Sequence, residues 1–397
     1  MKTLIKILIF SLFVISCRNT ENKNENKVIT FDLKELPKLT TVKLTDLGFV
    51  DIEYIPLETN EQSIISGTND VFMPIKIIVG ERFYLIKHFN TILKFQNNGL
   101  FVTKIGTVGR GPNEFTVAHD ANIEEKCQNI YLLARWQKKF FVYSERGELI
   151  KTIHIPFSPN VFSFLENGIL CYSENSMGNI GNSYDLIDFN GMIIKSFPNK
   201  FPLIIHDAHY IDNENLFYKF DRRLFKKEVY SDTVYVYENE DFKPHLVIQT
   251  GNKLITPKAR SEFDRLYLGK NYISPLRLFE FGEFVFYEFI YKIELPDNIL
   301  IYSYIGSKKS NYQALINGNQ GIINDLDGGP NIFPRTIKDD NTIIALVDAL
   351  QIKTHVVSET FKNSKPKYPE KMKELEKLAN NLKETDNPVL MIVKLKN

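Results

Sequence analysis

Residues 143–153 read YSERGELIKTI: a polar tight turn ending at Gly147, then alternating apolar residues broken by a lysine. The same pattern occurs twice more, as FQNNGLFVTKI at 95–105 and DFNGMIIKSF at 188–197. The turn glycines, Gly99, Gly147 and Gly191, lie 48 and 44 residues apart. Asn98-Gly99 and Asn190-Gly191 predict hairpins with type I′ turns, in which both central residues take positive φ. Each hairpin is preceded by another strand pair: RFYLI with TILKF, NIYLLA with KKFFVY, and GILCYS with SYDLIDF. A fourth copy runs from NLFYKF through DTVYVYENEDFKPHLVI, with its turn near Asp241. Four short strands recurring at this period make the blade of a β-propeller.

Two further blades fit the remaining sequence. LFEFGEFVFYEF, NILIYSY and YQALI form a fifth. NIFPRTI, TIIALV and PVLMIVKLK supply three strands of a sixth, and FVDIEYIPLE near the start supplies its fourth. Joining the chain ends in one blade closes the ring and removes a long unpaired edge. The fold class expected is therefore all-β: a six-bladed β-propeller of four-stranded antiparallel blades, occupying residues 41–397. A β-sandwich pair or a β-solenoid is the alternative, but sandwich strands do not repeat the same turn chemistry at a fixed period. Two short amphipathic helices interrupt the pattern. Thr256-Pro257 caps one with Ala259, Phe263, Leu266 and Tyr267 as its stripe, and Met372, Leu375, Leu378 and Leu382 line the other. Either could bind a partner, but amphipathic helices usually cover blade edges or faces, and that is the expectation for both.

The N-terminus, MKTLIKILIFSLFVISC, has Lys2 and Lys6 ahead of an apolar run too short to be a typical spanning helix. Val14-Ile15-Ser16-Cys17 resembles the lipobox of bacterial lipoprotein signal peptides. The resemblance implies a signal peptide over 1–16, lipidation of Cys17, and an anchor in the cell envelope, with the outer membrane favoured because Arg18 follows the cysteine. Residues 18–27 contain no strongly apolar run, and 17–40 is expected to be a flexible tether. Lysine plus arginine totals 49 against 48 acids, a balance that offers no electrostatic footprint for nucleic acid. Cys127 and Cys171 are read as free, buried thiols, although an exported compartment permits a disulfide.

KIGTVGRGPNEF, residues 104–115, raises the question of a phosphate cradle. A Walker loop needs Lys then Ser or Thr after its last glycine, at the mouth of a helix. Here Pro112 follows Gly111 and the flanks read as strands, so the stretch is a blade-to-blade crossing. With the strands that follow it, this crossing resembles the NHL repeat. DIEYIPLET (51–59), NDLDGGPNIFP (324–334) and NPVLMIVKL (387–395) resemble the bacterial six-bladed β-propeller lipoproteins. That resemblance implies the fold and no defined activity.

In a propeller the inner strands line a central channel, and ligands favour its mouth. Inner strands are expected to begin near Pro74, His119, Pro159, His206, Pro275 and Pro334. Two starts match, HDAN at 119–122 and HDAH at 206–209. This places His119, Asp120, His206, Asp207 and His209 around one mouth, with Arg277, Asp325, Asp327 and Arg335 in neighbouring segments. Three readings follow. Imidazole and carboxylate suit a divalent metal held by His119, His206 and His209, whose bound water could hydrolyse or eliminate. Alternatively, the arginines clamp an anionic small ligand. Otherwise the channel holds only water and self-satisfied polar groups. Trp136, between two strands of blade two and flanked by Arg135, Lys138 and Lys139, either stacks on a ligand or packs between blades, as tryptophan more often does. The function expected is a lipid-anchored module binding a small ligand or envelope protein. A metal-dependent hydrolase or lyase, and a structural part of an envelope assembly, are the alternatives.

Overall fold

Strand Phe83–His88 shows why one repeat cannot stand alone. Phe83 and Leu85 pack with Ile130, Leu132 and Phe141 of the following repeat, while Tyr84 and Ile86 pack with Ile344, Leu390 and Ile392 from the far end of the chain. Side chains alternate across a strand, so the two sets point to opposite faces. Each face then needs a neighbouring sheet, and each buried Phe or Leu contributes roughly 2 kcal/mol by leaving water.

A computed structural model of the chain describes residues 28–65, 75–175, 178–203, 213–293 and 299–396. The arm β1 (Ile29–Asp32) comes first, followed by β2 (Phe49–Pro56). Blade one is β3 (Lys76–Val79), β4 (Phe83–His88), β5 (Thr91–Gln96) and β6 (Phe101–Lys104). Blade two is β7 (Asp120–Ile123), β8 (Ile130–Ala134), β9 (Lys139–Tyr143) and β10 (Leu149–His154). Blade three is β11 (Val161–Leu165), β12 (Gly168–Tyr172), β13 (Asn182–Ile187) and β14 (Ile193–Pro198). Blade four is β15 (Asn215–Phe220), β16 (Arg223–Glu228), β17 (Thr233–Glu238) and β18 (Asp241–Gln249). Helices α1 (Pro257–Glu262) and α2 (Arg265–Asn271) lead to blade five: β19 (Ser274–Phe281), β20 (Phe284–Ile290), β21 (Ile301–Ser307) and β22 (Gln313–Asn317). Blade six is β23 (Pro334–Asp339), β24 (Thr342–Val347) and, after α3 (Ala349–Val356), α4 (Glu359–Lys362) and α5 (Pro369–Asn381), β25 (Val389–Leu395). Its outer strand is β2, antiparallel to β25 from Phe49↔Leu395 to Pro56↔Val389. The protein is a six-bladed propeller closed by its two ends.

The turn glycines have a different role from the one the dipeptides predict. Gly99, Gly147 and Gly191 have φ of 87°, 86° and 92°, but the residues before them do not turn left-handed. Each loop is a type I turn closed by a left-handed glycine, with Gly99 N bonded to Gln96 O and Gln96 N to Leu100 O. Asp188 Oδ1 accepts from Asn190 N and Met192 N, which holds the third loop in this form. A Cβ at Gly191 would strike the backbone oxygen of His154, so glycine also lets the hairpin sit on the preceding blade. Among the described residues, the hairpins with two consecutive left-handed residues are Asp221-Arg222 and Asn239-Glu240, neither of which contains glycine.

Three other expectations are corrected. The tether predicted over 17–40 is not flexible throughout: β1 adds a parallel fifth strand to β18, and Leu39 bridges Leu315, because Phe31 and Leu33 bury against blades four and five. The first predicted helix breaks at Phe263–Asp264, where Asp264 caps a second one, so Leu266 and Tyr267 stay half exposed and Leu268 turns inward. Cys171 is buried and Cys127 exposed; both are free. The stripe of α5 does dock as expected, with Leu375 and Leu382 in the core.

Candidate functional site at the loop-bearing channel mouth

Every blade starts at the axis, so the inner strands β3, β7, β11, β15, β19 and β23 enclose a channel of about 660 Å³. The mouth at their starts, the upper mouth, receives the blade-to-blade crossings and the loops between second and third strands; α1 and α2 belong to one such crossing and α3 to α5 to one such loop, from which α5 packs against the outer strand β2. The lower mouth carries turns between first and second strands, several only two residues long. Irregular insertions on one face of a repeat scaffold are where binding sites collect.

At the upper mouth Asp120 is nearly sealed, with 3% exposure. Its Oδ1 accepts from Lys76 Nζ at 2.7 Å and from Ala121 N at 2.9 Å, and its Oδ2 from Phe162 N at 3.1 Å. The carboxylate therefore clasps blades one, two and three. His119 N bonds Leu133 O, and its Nδ1 lies 3.2 Å from both Val117 O and Arg135 N. Burial, with the charges of Arg135 and Lys87 acting in the same sense, pushes its pKa down to about 4, so the ring is neutral near pH 7. His119 is not among the residues lining the channel.

Arg277 and Arg335 both line the channel. Arg277 Nη1 is bonded to Glu288 Oε2, behind it on β20. Burial, and then the like charge of Arg335, pushes the Arg277 pKa down. Burial does the same to Arg335, while Asp348 opposes it. Two guanidinium groups close enough to repel thus face the channel that Lys76 also lines, with Glu288 paired to Arg277 and Asp120 to Lys76. Burial also lowers Lys87, to about 8.

The predicted site residues do not all meet. Asp325 accepts from the backbone and hydroxyl of Thr45, and buried Asp327 accepts from Tyr54, Asn324 and Gly329 N; neither lines the channel. They anchor the crossing into the closing blade. His206, Asp207 and His209 lie outside the described residues. Among the described residues the inner strand of blade four starts at Asn215, later than the start near His206 that the repeat predicts. Among the described residues no group of three His, Cys, Asp or Glu side chains is placed to hold a metal ion.

Residues 27–394 match the family described as a domain of unknown function, DUF4934. The chain belongs to this family. No curated protein matches it. A crystal structure of a Bacteroides fragilis protein, described as a candidate for export, is similar at 16% identity and a TM-score of 0.66, covering 93% of this chain and 99% of its own. A Bacteroides vulgatus member of the DUF4221 family is similar at 11% identity and a TM-score of 0.52, covering 88% and 97%. At these identities the likeness concerns the fold.

The DUF4934 chain also carries features the sequence reading missed. Trp136 is not packed between blades: it is 70% exposed, on the turn after β8, with its ring edge-on to His119 at 4.7 Å. Strand β8 is buried from Ile130 to Ala134, and the tryptophan lies beyond its end. Deeper under the rim, Arg260 of α1 is fully buried near Glu174 and Glu214. Burial first, and Glu214 second, push the Glu174 pKa up to about 7. Glu214 accepts from Tyr172 OH at 2.9 Å and Asn175 N at 3.2 Å. No local motif marks this cluster, whose members come from three separate segments.

Proposed function

We propose that this DUF4934 chain is an exported, lipid-anchored binding module that takes an anionic ligand at the upper mouth of its channel. The observation that carries the reading is the pair Arg277 and Arg335 lining one cavity beside Lys76. Guanidinium forks bind carboxylate or phosphate oxygens in pairs, and such bonds are stronger away from bulk water. An anion between the two arginines relieves their mutual repulsion, which a neutral ligand does not. Asp120 offers little competition, because Lys76 and two backbone N–H groups already occupy it. Export and anchoring rest on the lipobox-like sequence at Cys17 and on the similarity to a protein described as a candidate for export.

The test uses the mature chain with Cys17→Ser in a thermal-shift panel of small carboxylates, phosphate, sulfate and neutral sugars. An anion at a hundred times its Kd stabilises by about 2.7 kcal/mol. Saturable stabilisation by anions, lost in R277Q and in R335Q, supports the reading. Stabilisation by neutral ligands alone, or anion binding indifferent to both substitutions, defeats it. For the anchor, labelled fatty acid should enter the wild-type protein and not the Cys17→Ser variant.

A further inference from the structure

We propose that Trp136 and Phe89 form a stacking rim beside the cationic mouth, and that the ligand is a ring-bearing organic anion. This rests on the anion-binding reading above and adds to it the part of the ligand that lies outside the channel.

Single exposed apolar residues are ordinary on a protein surface. These two differ in how they are held. Phe89 is 57% exposed and sits at φ 49°, a backbone region unusual for a bulky residue. Its ring lies tilted against that of His88 with centroids 4.3 Å apart, and Lys87 Nζ donates to its carbonyl at 3.1 Å. Its neighbour Asn90 accepts from Ala118 N at 3.0 Å, which pins this turn of blade one to the residue before His119. His119 in turn meets Trp136 at 4.7 Å, and Asp120, the next residue, lines the channel. The chain of contacts therefore runs from Phe89 through Asn90, Ala118 and His119 to Trp136, and His119 is one residue from Asp120 on the cavity wall.

Cations lie on both sides of the rings, one of them, Lys76, paired to Asp120. Lys76 and Lys87 lie on the blade-one side, and Arg135 adjoins Trp136 with its Nη1 3.8 Å from Glu174. His119 adds a neutral ring between the aromatics. An aromatic face attracts the apolar face of a sugar ring or another aromatic ring, and adjacent cations select for an acid group. The shared chemistry is an acid group carried on a ring, and it has two sources: saccharides containing uronic acid, and aromatic carboxylates.

The chain has one tryptophan, so its intrinsic tryptophan fluorescence reports Trp136 alone. The mature chain with Cys17→Ser is titrated with tri-galacturonic acid, with 4-hydroxyphenylacetate, and with inorganic phosphate as the ringless control. One ring-bearing acid should change the fluorescence saturably, and the responding arm assigns the source. Its affinity, measured calorimetrically, should fall about tenfold in W136A and in R277Q. F89A, which keeps the reporter, should weaken the fluorescence titration. Phosphate should bind without moving the fluorescence. If ring-bearing acids bind through Arg277 but leave the fluorescence and W136A unaffected, the rim is refuted while the anion site stands. If phosphate binds and neither ring-bearing acid does, the rim is again refuted. If no anion binds at all, both readings fall.

Discussion

Replacing Glu280 should be among the most damaging single changes to the ring. Glu280 is fully buried on β19, at the seam between blades four and five. Its Oε1 accepts from Tyr218 OH and from His245 Nε2, each at 2.8 Å, and its Oε2 from Lys308 Nζ at 2.6 Å. Tyr218 and His245 belong to blade four, and Lys308 follows β21 of blade five. Glu280→Ala strands a mostly buried ammonium, which costs about 3–5 kcal/mol, and also removes a neutral hydrogen bond of about 1 kcal/mol. The groups share one carboxylate, so these terms do not add fully, and about 4 kcal/mol is the working figure. Urea unfolding should then show a midpoint lower by about 1 M, since slopes rise with chain size above the few kcal/mol/M of small domains. A midpoint within roughly 0.3 M of wild type would refute the reasoning, because that shift is too small for a stranded buried charge. Burial alone would raise the Glu280 pKa, but the bonds from His245 and Lys308 outweigh it and hold the pKa below the usual range. A depressed carboxylate stabilises fully above its unfolded pKa of about 4.3 and loses that contribution as pH falls through the folded value. The gap between wild type and Glu280→Gln should therefore be constant from neutral pH to about 5 and close in more acid solution.

Other sites give smaller tests. Gly191→Ala should cost about 2 kcal/mol or more in thermal or urea unfolding, from the left-handed φ and the contact with His154 O, whereas Gly181→Ala, with open space around it, should stay within about 0.5 kcal/mol. Glu174 has the opposite pH sign to Glu280. With its folded pKa raised to about 7, the native state binds a proton first, so this residue should add about 3 kcal/mol between pH 8 and pH 4 that Glu174→Gln lacks. With Cys17→Ser, a thiol reagent should modify Cys127 in the native protein and Cys171 only after unfolding, because Cys171 is buried and its pKa is raised by that burial.

The parts of the fold legible in sequence were those written as repeated local chemistry. Gly99, Gly147 and Gly191 marked the hairpins because the same turn recurs, although the dipeptides suggested the wrong turn type. The type I loop needs one left-handed residue rather than two, and Asp188 supplies side-chain acceptors that favour it. Closure was legible because blade six lacked a strand and the start of the chain had one to spare. Asp221-Arg222 escaped notice because tertiary contacts, including Asp221 N to Asp340 at 2.8 Å, impose a conformation that its residues do not advertise. Helix α3 was also missed, although Asp348 and Gln351 form a capping box that could have revealed it. At the mouth, Arg277 and Arg335 were placed by their position just inside inner-strand starts. Lys76 followed the same rule and was overlooked. The cluster of Glu174, Glu214 and Arg260 could not be read, because three distant segments meet only through the blade geometry.

The most direct test of the account is a crystal structure of the mature protein soaked in selenate, an oxyanion visible by its anomalous scattering. The account expects a peak between Arg277 and Arg335 at the upper mouth, absent from R277Q crystals. Selenate bound elsewhere, with only water between the two arginines, would contradict it.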